Sequence, residues 1–262
     1  MKIYIATDME GISLIWKPEQ TSSDAGAEYD YGRRRATADV NAALAACFEA
    51  GAGRVVVQDG HGPSALLWDQ VDPRAEIERV PSGACLQPSL DETFDALLEV
   101  GRHAMAGTHM AFLEHTQSSR HWFCYKLNGA EYGEIAQEAF YAASFGVPLV
   151  FVSGDLAACQ EAELQFPGVL TAAVKTAVKR NAAHCLSAEV AHNLISEGVR
   201  KALSLAARKK IKPVLLRTPI TIELTLQRTD MADEYMGRQG IQRVNGRTIR
   251  VVVESQRDIL RF

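Results

Sequence analysis

Asp8 and Glu10 stand two residues apart, directly after the apolar run Ile3-Tyr4-Ile5-Ala6, in the segment Asp8-Met9-Glu10-Gly11. On extended backbone, alternate residues share a side, so this spacing lets both carboxylates reach one point. Paired hard oxygen donors suit a divalent cation. They also suit a helix cap or a solvated loop, and the spacing alone does not choose. Asp59-Gly60-His61-Gly62 and Gly101-Arg102-His103 each follow a further apolar run, and each offers an imidazole where the first run offers carboxylates. Glu134, preceded by Asn128-Gly129 and Gly133, falls in the first turn of an expected helix, where the helix dipole already favours a carboxylate. Three carboxylates and two imidazoles exceed what one tetrahedral zinc needs. They suit two metals sharing a bridging carboxylate, with Asp8, the deepest of the set, as the natural bridge. His115 lies in Phe112-Leu113-Glu114-His115-Thr116, within a long connection able to fold over the same edge as a lid.

Such a cluster needs elements that carry each residue to one edge. Four apolar segments, residues 2–7, 54–58, 96–101 and 148–153, read as buried strands, the second and fourth rich in Val. Between the first two, residues 30–50 repeat Ala36, Val40, Ala43, Leu44 and Phe48 at helical spacing before Gly51. A crossover helix there makes the two strands parallel. Helices are also expected over 131–145, 156–166 and 187–208, the last N-capped by Ser187. Alternation of this kind predicts an α/β fold over residues 1–210, with a mostly parallel open sheet and helices on both faces. Ligands collect at the carboxyl edge of such sheets. Residues 211–262 read differently: 213–227 alternate, and 242–253 contain Asn245-Gly246, a two-residue hairpin signal. These residues form an antiparallel β appendage packed on the core, within the same domain or at a subunit contact.

The chain has 262 residues, 47% of them hydrophobic and 23% charged, with a net charge of −4. Its pI near 6.0 and dispersed basic residues give no footprint for nucleic acid. The five cysteines are widely separated, with no C-x-x-C pair, so neither a disulfide framework nor a zinc ribbon is expected. A reducing cytoplasm fits. No apolar run approaches the length of a bilayer span, and no membrane association is expected.

The segments Asp8-Met9-Glu10-Gly11-Ile12-Ser13, Asp59-Gly60-His61, Gly101-Arg102-His103-Ala104, Glu114-His115 and Gly133-Glu134 resemble the DppA-type D-aminopeptidases, a family of zinc metallopeptidases. The resemblance extends to Val150-Phe151-Val152-Ser153-Gly154-Asp155 and Thr171-Ala172-Ala173-Val174-Lys175, in order along nearly the whole chain. It implies zinc ligation by Asp8, Glu10, His61, His103 and Glu134, two Zn2+ per subunit, and His115 as the catalytic histidine. It also implies a ring-shaped homodecamer that admits short peptides and hydrolyses the N-terminal residue, a D-amino acid such as D-Ala. Departures lie around the ligands: Leu14 stands where a glycine is expected, and Ala136-Gln137-Glu138 and residues 105–113 differ. They bear on substrate preference.

Other readings give different expectations. A phosphatase forming an aspartyl-phosphate needs D-x-D after its first strand, where this chain has D-x-E. A related metallohydrolase would act on L-aminoacyl peptides or other small amides, and a non-catalytic protein would only capture peptides.

Overall fold

In the computed structural model, residues 1–62, 64–79 and 87–262 are described, which leaves Cys85 outside. Twelve strands are present among them: β1 (Lys2–Thr7), β2 (Arg54–Asp59), β3 (Glu76–Glu78), β4 (Ala96–Arg102), β5 (Trp122–Leu127), β6 (Ala130–Glu131), β7 (Leu149–Asp155), β8 (Leu170–Lys179), β9 (Ala182–Cys185), β10 (Ile220–Leu226), β11 (Gln242–Arg243) and β12 (Thr248–Val253). Five α-helices accompany them: α1 (Ala27–Glu49), α2 (Glu134–Ala143), α3 (Leu156–Gln165), α4 (Ala188–Ala207) and α5 (Thr229–Asp233).

The first sheet has seven strands in the order β3-β2-β1-β4-β7-β8-β9. All its pairings are parallel except β8 with β9. Because β1 lies between β2 and β4, the residues that follow these three strands leave the sheet side by side. Alternation along β1 feeds both faces: Ile3 and Ile5 join one apolar cluster, and Tyr4 and Ala6 the other. Helices α1 and α4 cover the first face through Val40, Ala43, Leu44, Ile195 and Val199. Helices α2 and α3 cover the second through Ile135, Ala139, Phe140, Ala158 and Ala162. Each fully buried Ile, Leu or Val contributes about 1.5–3 kcal/mol.

The expected α/β sheet with helices on both faces is present, as is an antiparallel sheet toward the C-terminus. That second sheet runs β11-β12-β10-β5-β6, so it also takes in residues 122–131, a stretch whose strands the sequence did not advertise. It adds Tyr125, Leu127, Ile220, Ile222, Val251 and Val253 to the same core that α2 and α3 cover.

Several local expectations change. Residues 213–219 stay outside the strand, and β10 begins only at Ile220. Asn245-Gly246 does not make a two-residue turn, since β11 ends at Arg243 and β12 begins at Thr248. Asn245 Oδ1 instead accepts from the amides of Arg247 and Thr248 and holds a wider turn. A two-residue hairpin stands instead at Asn128-Gly129, joining β5 to β6 in the register Leu127↔Ala130. Both residues have the positive φ that such a turn requires, 50° and 87°. That hairpin carries the chain through Glu131 as strand, so α2 starts at Glu134 and not at 131. Ser187 occupies the N-cap position of α4, but its side chain makes no capping hydrogen bond.

Candidate metal centre and active site

Asp8 stands between two imidazoles. Its Oδ1 lies 3.1 Å from His61 Nδ1 and its Oδ2 lies 3.1 Å from His103 Nε2. Glu10 Oε2 is also 3.1 Å from His61 Nδ1, and Glu134 Oε1 is 3.5 Å from His103 Nε2. His115 stacks on His103 with ring centres 4.0 Å apart, and its Nε2 is 3.8 Å from Glu134 Oε1. All six residues singled out in the sequence therefore meet at the carboxyl edge of β2, β1 and β4. Donor atoms of Asp8, Glu10 and His103 lie within 4.8 Å of one another, as do those of His103, His115 and Glu134.

Each imidazole is oriented from behind by a carbonyl. His61 Nε2 donates to Thr21 O at 2.9 Å, His103 Nδ1 to Ala104 O at 2.9 Å, and His115 Nδ1 to Leu113 O at 2.8 Å. A carbonyl only accepts, so these nitrogens carry protons and, in the neutral ring, leave the opposite nitrogen to bind a cation. This outer support is typical of histidines that hold metals. Asp8 Oδ2, Glu10 Oε2 and His103 Nε2 are buried without a well-directed hydrogen bond among the described residues. Buried polar atoms rarely stay so, and a mixed set of carboxylate and imidazole donors matches zinc chemistry.

Without such a cation, protons must balance the carboxylates. Burial disfavours the charged rings of His61 and His103, yet the facing carboxylates outweigh it and hold both well above the ordinary imidazole value. Burial would likewise raise Asp8, but the facing imidazoles of His103 and His61 keep it well below the usual carboxylate range. Glu134 is lowered in the same way, burial being outweighed by His103 and His115.

The backbone at this edge is shaped by two glycines. Gly101 is a bulge between Val100 and Arg102 with φ 84°, which turns Arg102 and His103 out of the regular alternation. A side chain at Gly11 would overlap the Arg102 carbonyl, so only glycine lets the Asp8 loop lie on β4. Leu14, where the sequence led us to expect glycine, adopts φ 59°, a left-handed conformation that costs about 1–2 kcal/mol for other residues.

Charged residues to which the sequence reading gave no role hold these loops. Asp59 accepts from Ser64 Oγ at 2.6 Å, Ala65 N at 2.8 Å and Trp68 Nε1 at 2.9 Å, fixing the loop that carries His61. Asp155 caps α3 through Ala158 N and also accepts from Phe112 N at 2.9 Å, tying down the connection that carries His115. Lys175, wholly buried, donates to the carbonyls of Glu10, Ile12 and Ile15. Arg102 pairs with Glu99 and Glu138 beneath the site. Burial works against its charge, but the two carboxylates outweigh it and raise its pKa. A charge inside an otherwise apolar strand, such as Glu99 or Lys175, was the signal available for these roles.

A sequence description of the D-aminopeptidase family matches residues 1–262, the whole chain. The chain belongs to this family. A D-aminopeptidase of Bacillus subtilis (strain 168) is 35% identical over 219 residues, spanning 82% of this chain and 77% of that protein. The solved structure of the Zn-dependent D-aminopeptidase DppA from Bacillus subtilis, a self-compartmentalizing protease, superposes with a TM-score of 0.93 at 27% identity. The superposition covers 100% of this chain and 94% of that one.

In this D-aminopeptidase family member, one more buried acid lies close to the site without joining it. Glu161 Oε2 accepts from Met105 N at 2.8 Å, while Oε1 is buried without a partner among the described residues. Burial raises its carboxyl to about 7. Between the ordinary carboxylate value and that point, the folded chain keeps a proton that the unfolded chain has released. Stability from this group is therefore greatest at low pH and falls as pH rises through the window, by roughly 3 kcal/mol in all. Glu161→Gln mimics the protonated acid, so it should match the wild type near pH 5 and exceed it near pH 8 in urea unfolding. An equal difference at both pH values would exclude titration of Glu161 as the cause.

Proposed function

We propose that the chain is a zinc-dependent aminopeptidase that removes an N-terminal D-amino acid, such as D-Ala, from short peptides. The observation that carries this reading is Asp8 between His61 and His103, with Glu10 and Glu134 on either side, in a family of D-aminopeptidases. Two zinc ions per subunit would be held by Asp8, Glu10, His61, His103 and Glu134, a reading supported by the reach of Asp8 to His61 and His103, each at 3.1 Å.

The chemistry that zinc supplies when bound is Lewis acidity, which polarises the scissile carbonyl and makes water nucleophilic near neutral pH. The chain's own residues do the rest. A cavity of about 550 Å³, with Asp8, Glu10, His61, His115 and Glu134 in its wall, receives the amino end of the peptide. His115 faces it with Nε2 free to accept, because Nδ1 is committed to Leu113 O. Nε2 takes a proton from the attacking water and returns it to the leaving amine as the C–N bond breaks. The carbonyl behind the ring keeps this tautomer in place through both transfers.

We further assign the protein to the cytoplasm, in line with the free thiols of Cys47, Cys124, Cys159 and Cys185. Among the described residues no helix is long and apolar enough to cross a membrane. A homodecameric ring is the expected assembly, supported by the self-compartmentalizing character of the similar Bacillus structure. Light scattering on the purified chain tests it, and a monomeric mass excludes it.

The activity test joins a metal assay to a substrate panel. Zinc-loaded protein should release D-alanine from D-Ala-D-Ala and D-alaninamide, and a chelator should stop it. Equal or better cleavage of the L-alanyl compounds would remove the stereochemical part and leave the metallopeptidase. His115→Ala should lower turnover about 10²–10⁴-fold, the usual range for a lost general base, with zinc content unchanged. Loss of zinc in that variant would make His115 a ligand instead.

A further inference from the structure

We propose that Arg180 is a specificity-determining residue that binds the free C-terminal carboxylate of a dipeptide substrate. This rests on the aminopeptidase reading above. The cavity over Asp8 does not end at His115. A second cavity, of about 740 Å³, lies against the other side of the wall made by His115, Ser119 and Arg180, and these three residues line both spaces. Trp122 and Phe123 form part of the far side. Together the two make a cleft in two parts, with the acidic cluster in one and His115 at the junction.

Arg180 is the cation common to both parts. Arg120 lines only the acidic part, and Lys126 lines only the other, where it pairs with Glu131 at 3.3 Å. The Arg180 backbone carbonyl accepts from Leu113 N at 2.7 Å, and its Nη2 donates to Glu114 O at 3.2 Å. Its Nε lies 2.9 Å from Glu114 Oε2. These contacts fix the guanidinium beside His115, while Nη1 has no partner among the described residues and the side chain is 53% exposed. A planar guanidinium held by one edge presents the other edge to a carboxylate.

A dipeptide fits this layout. Its amino end enters the part lined by Asp8, Glu10 and Glu134, and its carboxylate follows the scissile bond by a single residue, a reach of about 3.5 Å. The guanidinium beside His115 meets that carboxylate as the leaving residue enters the second cavity. Longer peptides and C-terminal amides place no charge there.

The test uses zinc-loaded full-length protein and three substrates: D-Ala-D-Ala, its C-terminal amide and D-alaninamide. In the wild type, the free dipeptide should have a kcat/KM about 10- to 100-fold above its own amide, chiefly through KM, as expected for a charge-assisted bond. Arg180→Gln should lower kcat/KM for the free dipeptide about 10- to 100-fold more than for D-alaninamide, and Arg180→Lys should restore part of the difference. Equal losses on both substrates would show that Arg180 only supports the Glu114-His115 segment, which overturns the proposal. The wild-type comparison needs no variant to fold, and absence of any preference for the free acid overturns the proposal by itself. Failure of the wild type to cleave any of the three would instead overturn the aminopeptidase reading.

Discussion

Replacing Asp8 with alanine should reduce kcat/KM for D-alanyl substrates by at least about 10³-fold and lower the zinc content of the purified protein. Among the described residues, Asp8 is the carboxylate that touches both His61 and His103, each at 3.1 Å. Its removal leaves Glu10 as the carboxylate facing His61 and Glu134 as the one facing His103 among the described residues, so the two halves of the cluster lose their common member. Lewis-acid stabilisation of developing charge contributes several kcal/mol, and each 1.36 kcal/mol is a factor of ten in rate. About 4 kcal/mol therefore gives the expected loss. Metal analysis separates the causes: the variant should hold less zinc per chain than the wild type at equal free zinc. Full zinc content with near-normal turnover would remove Asp8 from the centre of the site.

The second large effect concerns stability. Lys175→Met should destabilise the fold by about 3–5 kcal/mol, because three buried carbonyls lose a charged donor. Methionine has similar length but donates nothing, so the carbonyls of Glu10, Ile12 and Ile15 lose their shared donor inside the protein. Each carbonyl left unsatisfied costs about 1–3 kcal/mol unless water reaches it. Burial pushes the Lys175 ammonium down to about 8, which still leaves most of it protonated at neutral pH. The three carbonyls lie in the loop that carries Glu10, so the variant should also bind zinc more weakly. At about 2–4 °C per kcal/mol for chains of this size, the melting temperature should fall by roughly 10 °C. A fall of less than about 2 °C would mean that the loop is held by other contacts, chiefly those of Ser13 to Asp39.

Residues that follow apolar runs were legible because the run itself announces where a buried parallel strand stops. That is how Asp8, His61 and His103 could be placed at one edge from the chain alone. The helical spacing of Ala36, Val40, Ala43 and Leu44 likewise announced the crossover that makes β1 and β2 parallel. The 122–131 hairpin was not legible. Its strands are short, with irregular burial along Trp122–Leu127, and its turn signal duplicates the one at Asn245-Gly246. Only the backbone shows which Asn-Gly pair has the positive φ of a two-residue turn.

The amino-acid sequence by itself determined the chemical inventory of this protein: which carboxylates and imidazoles exist, and that they follow strands of a mostly parallel sheet. Tertiary structure decided their partners. The order β2-β1-β4 puts Asp8 between His61 and His103, and strand order depends on how the helices cover both faces of the sheet, which no local pattern encodes. It also decided that Lys175, more than 160 residues away in sequence, lies under the Asp8 loop. Such pairings join distant parts of the chain, and their stabilisation exists only after the sheet has formed and water has left the space between them.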